Sequence, residues 1–171
     1  FAPLGALARF GWVGQETLGV EKACRNLERF VESSLSPGVA TATNPAKRMA
    51  LKIQGRLPVL YGAAGGFEAL TYRWRTQLEE NAKTLAFHHL FPEATHNEIS
   101  GWDHPRAIVA KSVAIFLKDP AVHPKILRRM DFTAGIIRRH RARVIEAAVS
   151  GGSVLERMLK LIALGDFVSV Y

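Results

Sequence analysis

From residue 56 onward the chain repeats one alternation: a short apolar run, a turn or polar stretch, then a segment with apolar residues every three or four positions. Leu57-Pro58-Val59-Leu60-Tyr61 is the first run, and it closes in a glycine turn, Gly62-Ala63-Ala64-Gly65-Gly66. Phe67, Leu70, Trp74, Leu78 and Ala82 then share one face of a helix predicted over residues 67–83. Leu85–Phe91, Ala107–Leu117 and Arg143–Val149 read as three further strands. Helices are predicted over Pro124–Arg139 and Ser153–Tyr171, the last with Leu155, Met158, Leu159 and Ile162 facing inward. Strands that alternate with helices imply a parallel sheet covered on both faces, with right-handed crossovers. The expected fold is α/β: a three-layer, flavodoxin-like sandwich with a mainly parallel sheet. Ligands of such sheets sit outside the carboxyl ends of the strands.

Residues 1–54 read as a helical lead-in packing on this unit. Val20, Ala23, Cys24, Leu27, Phe30 and Val31 give a helical stripe within Thr17–Ser34, ended by Ser36-Pro37-Gly38. Asn44-Pro45 has the form of an N-cap followed by proline in the first turn, so a short helix is predicted to about Gln54. The length of 171 residues suits one domain with a sizeable core. The longest uncharged stretch, Ser33–Ala46, is 14 residues and polar, so no membrane segment is expected. A single cysteine, Cys24, allows no internal disulfide and makes a reducing cytoplasm the expected setting. The formal net charge of +8 favours anionic partners, from nucleic acid to phosphorylated small molecules.

Several features carry chemistry, each with a plainer alternative. The glycine turn links a strand to a helix N-terminus, where amides and the helix dipole can hold an anion, with Gly62 a candidate contact. It lacks the spacing of a phosphate-binding Walker loop, and a tight connection is the plain alternative. Arg73, Gln77, Glu80 and Lys83 form a polar stripe on the following helix. Glu80 lies near the helix C-terminus, where the dipole disfavours a carboxylate and makes it a better base. The plain alternative is a solvated face with Arg73, Lys83 and Glu80 pairing along the helix. His88, His89, His96 and His104 lack ligand spacing, and adjacent strand histidines point to opposite faces, so no metal is expected. His96-Asn97-Glu98 falls in a polar loop over Pro92–Pro105, where a histidine can act as acid or base. Six arginines lie within sixteen residues, Arg128 to Arg143, without interleaved aromatics. A solvated face or an acidic interface is preferred there over nucleic acid.

A series of blocks then becomes specific. Tyr72-Arg73-Trp74-Arg75-Thr76-Gln77, Glu80-Asn81-Ala82-Lys83, Pro92-Glu93 and His96-Asn97-Glu98-Ile99 with Gly101-Trp102 follow in order, and Leu164–Tyr171 closes the chain. Together they resemble the bifunctional phosphoglucose/phosphomannose isomerase family, whose members contain two sugar-isomerase (SIS) domains. The resemblance covers most of the chain and is strongest over 55–102 and 153–171. It implies that residues 55–171 are the second SIS half of a longer cytoplasmic enzyme. That enzyme would interconvert glucose 6-phosphate or mannose 6-phosphate with fructose 6-phosphate through an enediol, with no cofactor or metal. It implies Glu80 as the base moving a proton between C1 and C2. His96 would assist ring opening and reach the partner subunit's site, so a homodimer is implied. Gly62, Arg73 and Asn97 are weaker candidates for substrate contacts. Glu79 departs from the pattern, where asparagine usually precedes the glutamate. The family's phosphate cradle lies in its first SIS domain, its active-site arginine just before the position of Phe1, and its C-terminal lysine beyond that of Tyr171. The chain alone is therefore expected to turn over little. A non-catalytic, sugar-phosphate-binding SIS module is the alternative.

Overall fold

The computed structural model describes residues 9–12 and 17–171; residues 1–8 and 13–16 of the lead-in lie outside the described residues. Four strands, β1 (Leu57–Ala63), β2 (Phe87–Phe91), β3 (Ser112–Leu117) and β4 (Arg143–Ala147), form one sheet in the order β2-β1-β3-β4. Every pairing is parallel, with Val59 opposite Phe87, Leu57 opposite Ser112 and Val113 opposite Arg143. The parallel α/β sandwich expected from the alternation is therefore present. β3 is buried at every position. It lies between two strands and two layers of helix, which is why its sequence shows no polar alternation.

The helices are α1 (Thr17–Phe30, continued by a wider turn over Val31–Leu35), α2 (Pro45–Ile53), α3 (Glu68–Glu80), α4 (Glu98–Gly101), α5 (Arg106–Val109), α6 (Pro124–Arg139) and α7 (Val154–Val170). α3 and α7 pack together on one face of the sheet, with α1 and α2 against α7; α6 packs on the strands from the other face. The cap read at Asn44 is real. Its Oδ1 accepts the Lys47 amide at 3.1 Å, while its Nδ2 donates to the Leu35 carbonyl at 3.0 Å and ties α2 to the end of α1. Trp74 joins α3 to α7: it is buried, and its Nε1 donates to the Leu161 carbonyl at 2.8 Å. The indole lies so close to Gly165 that a Cβ there would come within 2.5 Å of it.

Four expectations need correction. Gly62 and Ala63 continue β1, so the turn is only residues 64–66. A Cβ on Gly62 would stand 1.8 Å from Thr71 Oγ1, so glycine is required there by the close approach of α3. The run from Ala107 is not all strand: Arg106–Val109 is a helical turn, followed by β3 at Ser112. A continuous apolar run carries no period to tell the two apart. Ala82 lies past the end of α3 and is exposed. In α7 the fully buried apolar positions are Leu161, Leu164, Gly165 and Val168, while Leu155, Met158, Leu159 and Ile162 are half-buried. α7 is wedged between α3 and the lead-in helices, so it has two apolar faces and its inward stripe cannot be read from spacing alone.

Candidate functional site

A parallel sheet has two unlike edges, and the candidate residues divide between them. α3 starts beside the carboxyl end of β1 and runs back, so its last residue, Glu80, lies at the amino edge. Glu80 is exposed, and among the described residues its carboxylate has no hydrogen-bonding partner. Lys83 Nζ donates instead to the Glu80 carbonyl, at 2.7 Å. The expected pairing along the helix is therefore replaced by bonds to α7. Arg73 Nε and Nη2 meet the two carboxylate oxygens of Asp166 at 3.2 and 2.9 Å, and this bond raises the guanidinium's pKa. Asn81 Nδ2 donates to Gln77 Oε1 at 3.0 Å and to Ser169 Oγ at 2.9 Å. Glu79 points elsewhere, toward Arg75. Beside the end of α3 opens a cleft of about 530 Å³ with Lys47, Gln54, Asn81, Thr84 and Tyr171 in its walls. The base candidate thus sits at the opposite edge from the one where ligands of such sheets are expected.

The carboxyl edge carries His96. A tight turn over Glu93–Thr95 follows β2, and His96 closes it, its amide donating to the Glu93 carbonyl at 2.8 Å. Its ring is exposed, with no side-chain partner among the described residues, and Asn97 beside it is exposed too. Glu98 turns inward: its carboxylate accepts from the Tyr61 hydroxyl and meets His89 Nδ1. Trp102 Nε1 donates to the same Tyr61 oxygen at 2.7 Å. Burial, with the Glu98 charge beside it, raises the Tyr61 pKa, so the phenol keeps its proton and remains a donor. The two strand histidines do point to opposite faces. His88 lies edge-on to the Tyr72 ring, and burial, with the Arg75 charge nearby, lowers its pKa.

The glycine turn, also at the carboxyl edge, holds an anion of its own. The Gly65 and Gly66 amides donate to the two carboxylate oxygens of Glu68 at 2.6 and 2.7 Å. These bonds, led by that from Gly65, lower the Glu68 pKa. An external phosphate would have to displace this carboxylate, and Gly62 itself is buried inside β1. Nothing local in the sequence marked the Tyr61–Glu98–His89 network or the Arg73–Asp166 pair, because each joins residues far apart along the chain. Polar groups on β1 and β2, strands otherwise apolar, were the available signal.

A family model described as bacterial phospho-glucose isomerase C-terminal SIS domain matches residues 42–171. The chain belongs to that family. The bifunctional phosphoglucose/phosphomannose isomerase of Caldicellulosiruptor bescii is 38% identical over 135 residues, which are 79% of this chain and 40% of that protein. The enzyme of the same description from Aquifex aeolicus is 33% identical over 159 residues, 90% of this chain and 47% of that protein. This SIS domain thus spans less than half the length of these relatives. A crystal structure of a glucose-6-phosphate isomerase like protein from Thermus thermophilus shares the fold, with a TM-score of 0.70 at 20% identity over 90% of this chain and 52% of that one. The family and fold that the sequence blocks imply are both borne out. Among the described residues of the SIS domain, no helix is long and apolar enough to cross a membrane.

Proposed function

We propose that this chain is the second SIS half (residues 55–171, with 1–54 as its lead-in) of a cytoplasmic, homodimeric phosphoglucose/phosphomannose isomerase of carbohydrate metabolism. Its substrates are glucose 6-phosphate and mannose 6-phosphate, each interconverted with fructose 6-phosphate. The observation that carries the reading is the exposed carboxylate of Glu80, without a hydrogen-bonding partner among the described residues, at the end of α3 next to Asn81, which lines an open cleft, in a chain of this family. Once the ring is open, Glu80 takes the proton from C2 of the aldose. The C2–H electrons form the C1–C2 double bond of an enediol, and O1 gains a proton. Return of the proton to C1, as O2 becomes a carbonyl, gives the ketose. The aldoses epimeric at C2 share this enediol, so one base serves both. His96 moves the proton between the ring oxygen and the anomeric hydroxyl when the ring opens.

Glu80 and His96 cannot serve one site within a single copy. The 13 residues of α3 run about 20 Å from the carboxyl edge to the amino edge, at 1.5 Å per residue. Glu80 stands at one end of this span and His96 beyond the other. A two-fold pairing that brings the carboxyl edge of one copy to the amino edge of the next unites them, and His96 of each protomer then completes the site of its partner.

The test uses the full-length protein and a coupled isomerase assay with fructose 6-phosphate. Glu80→Gln and His96→Ala are each expected to be nearly inactive. When the two are unfolded together and refolded, half the dimers are hybrids, and each hybrid carries one intact site. About a quarter of the wild-type activity should then return. No recovery on mixing would place both groups in one chain, full activity in Glu80→Gln would remove Glu80 as the base, and a wild type that binds sugar phosphate without isomerising it would leave a regulatory module as the better reading.

A further inference from the structure

Among the described residues the exposed His96 ring has no hydrogen-bonding partner to hold it. Its place is set by its neighbours along the chain, which are fixed on both sides. On one side Thr95 Oγ1 donates to the Pro92 carbonyl at 2.6 Å and accepts from Arg129 Nη1, on α6, at 3.0 Å. On the other side Glu98 reaches down to the sheet and bonds two adjacent strands, through Tyr61 on β1 and His89 on β2. Tyr61 is 1% exposed and stacks on Phe116 at 4.9 Å between ring centroids, so its hydroxyl is a fixed point of the core. Trp102, one residue beyond α4, donates to the same hydroxyl and closes the loop of contacts. Both carboxylate oxygens of Glu98 are engaged below the turn, so this residue is not placed to meet a substrate. A polar network at this depth gains little stability over an apolar one of the same volume, but it fixes a single arrangement.

We propose that Glu98 is a positioning residue: with Tyr61, His89 and Trp102 it bolts the His96 turn to the sheet and holds the imidazole where it can open the sugar ring. The proposal rests on the ring-opening role given to His96 above. It predicts that ring opening is lost when the bolt is removed and kept when the bolt is replaced by a neutral group of the same shape. A glutamine at 98 can still accept from Tyr61 and donate to His89 Nδ1, whereas alanine can do neither.

Ring opening can be read apart from isomerisation. In full-length protein carrying Glu80→Gln, exchange between the α and β anomers of glucose 6-phosphate is followed by magnetisation-transfer NMR at saturating sugar phosphate. Adding Glu98→Ala should slow the catalysed exchange at least about tenfold, on the scale of lost general acid–base assistance, with little change in the half-saturating concentration. Adding Glu98→Gln should keep most of the exchange. Tyr61→Phe, which leaves the aromatic core filled, should fall between them, and it stands in for Glu98→Ala should that variant not fold. Exchange as fast as in the Glu80→Gln parent after loss of the bolt overturns this proposal alone. Exchange that His96→Ala leaves untouched overturns the ring-opening role and the proposal with it.

Discussion

Each edge of the sheet presents one of the two candidate reactive side chains, bare among the described residues, but the edges hold them in different ways. At the carboxyl edge the fastening is polar and buried or half-buried. Tyr61, Glu98 and His89 hold the His96 turn, and Asp119, 2% exposed, takes Arg157 at 2.7 and 3.0 Å. Glu156, also buried, takes Lys160 at 2.7 Å as α7 begins. At the amino edge the fastening is apolar packing with polar pairs laid over it. Trp74 and Leu78 are buried under α7, while the Arg73–Asp166 pair is exposed. A residue on a loop gets no position from its own backbone, so its neighbours must be pinned one by one. A residue at the end of a helix inherits its position from the whole helix. The carboxyl edge should therefore respond to pH and to loss of single polar groups, and the amino edge to packing.

The largest effect expected is catalytic. Glu80→Gln in the full-length protein should lower kcat for fructose 6-phosphate about 10³-fold, within the range of general-base contributions. Its KM and melting temperature should hardly move, since the side chain is exposed and unpaired among the described residues. A large loss of stability in this variant would contradict the view that α3, not the carboxylate, fixes the amino edge.

Much of the fold was legible because periodicity reports burial. The alternation from residue 56 gave the parallel sheet, and Asn44-Pro45 gave a helix start whose cap bond is present. The failures fall where periodicity has nothing to report. Ala107–Leu117 is apolar over most of its length and hides a turn of helix before β3. α7 has two apolar faces, so Met158 and Ile162 of the expected stripe do pack against the core, but its most deeply buried apolar positions, Leu161, Leu164 and Val168, lie elsewhere. Of the candidate site, Glu80 at a helix end and His96 on a polar turn were readable as positions. That they stand at opposite edges was not, because it depends on the direction of α3 against the sheet. Nor could the sequence show that the glycine turn already holds Glu68, a contact set by the turn's backbone.

The next effect should appear at the carboxyl edge on acidification. The hydrogen bond from Lys160 outweighs burial and lowers the Glu156 pKa to about 2, against 4.5 ordinarily. Because the folded value lies below the unfolded one, this carboxylate contributes stability above about pH 4.5 that is lost as pH falls toward 2. The contribution is about 3 kcal/mol at most. Asp119 acts in the same sense: burial alone would raise it, but Arg157 holds it down. Urea denaturation of wild type and Glu156→Gln across this window should show a shallower pH dependence in the variant. Parallel curves would remove Glu156 from the acid response. The packing counterpart is Gly165→Ala, whose added Cβ meets the Trp74 indole at 2.5 Å. It should cost about 2 kcal/mol at every pH, and Trp74 fluorescence should report the displaced ring.

The smallest effect separates bracing from substrate contact at Arg73. The pair with Asp166 is exposed, 45% and 34% for the two side chains, so its loss should cost less than about 1 kcal/mol and should shrink further in high salt. If Arg73 only braces α3 against α7, Arg73→Ala and Asp166→Ala should be equally mild, and the double variant should be no worse than either, as a mutant cycle requires of a pair that acts only on itself. Both should leave kcat/KM within about twofold of wild type. If Arg73 also touches the sugar phosphate, only Arg73→Ala should raise KM, and Asp166→Ala, by freeing the guanidinium, should lower it or leave it alone. Asymmetry of that kind would make the exposed pair part of the substrate site, and the amino edge would then use its polar groups for binding while packing alone keeps Glu80 in place.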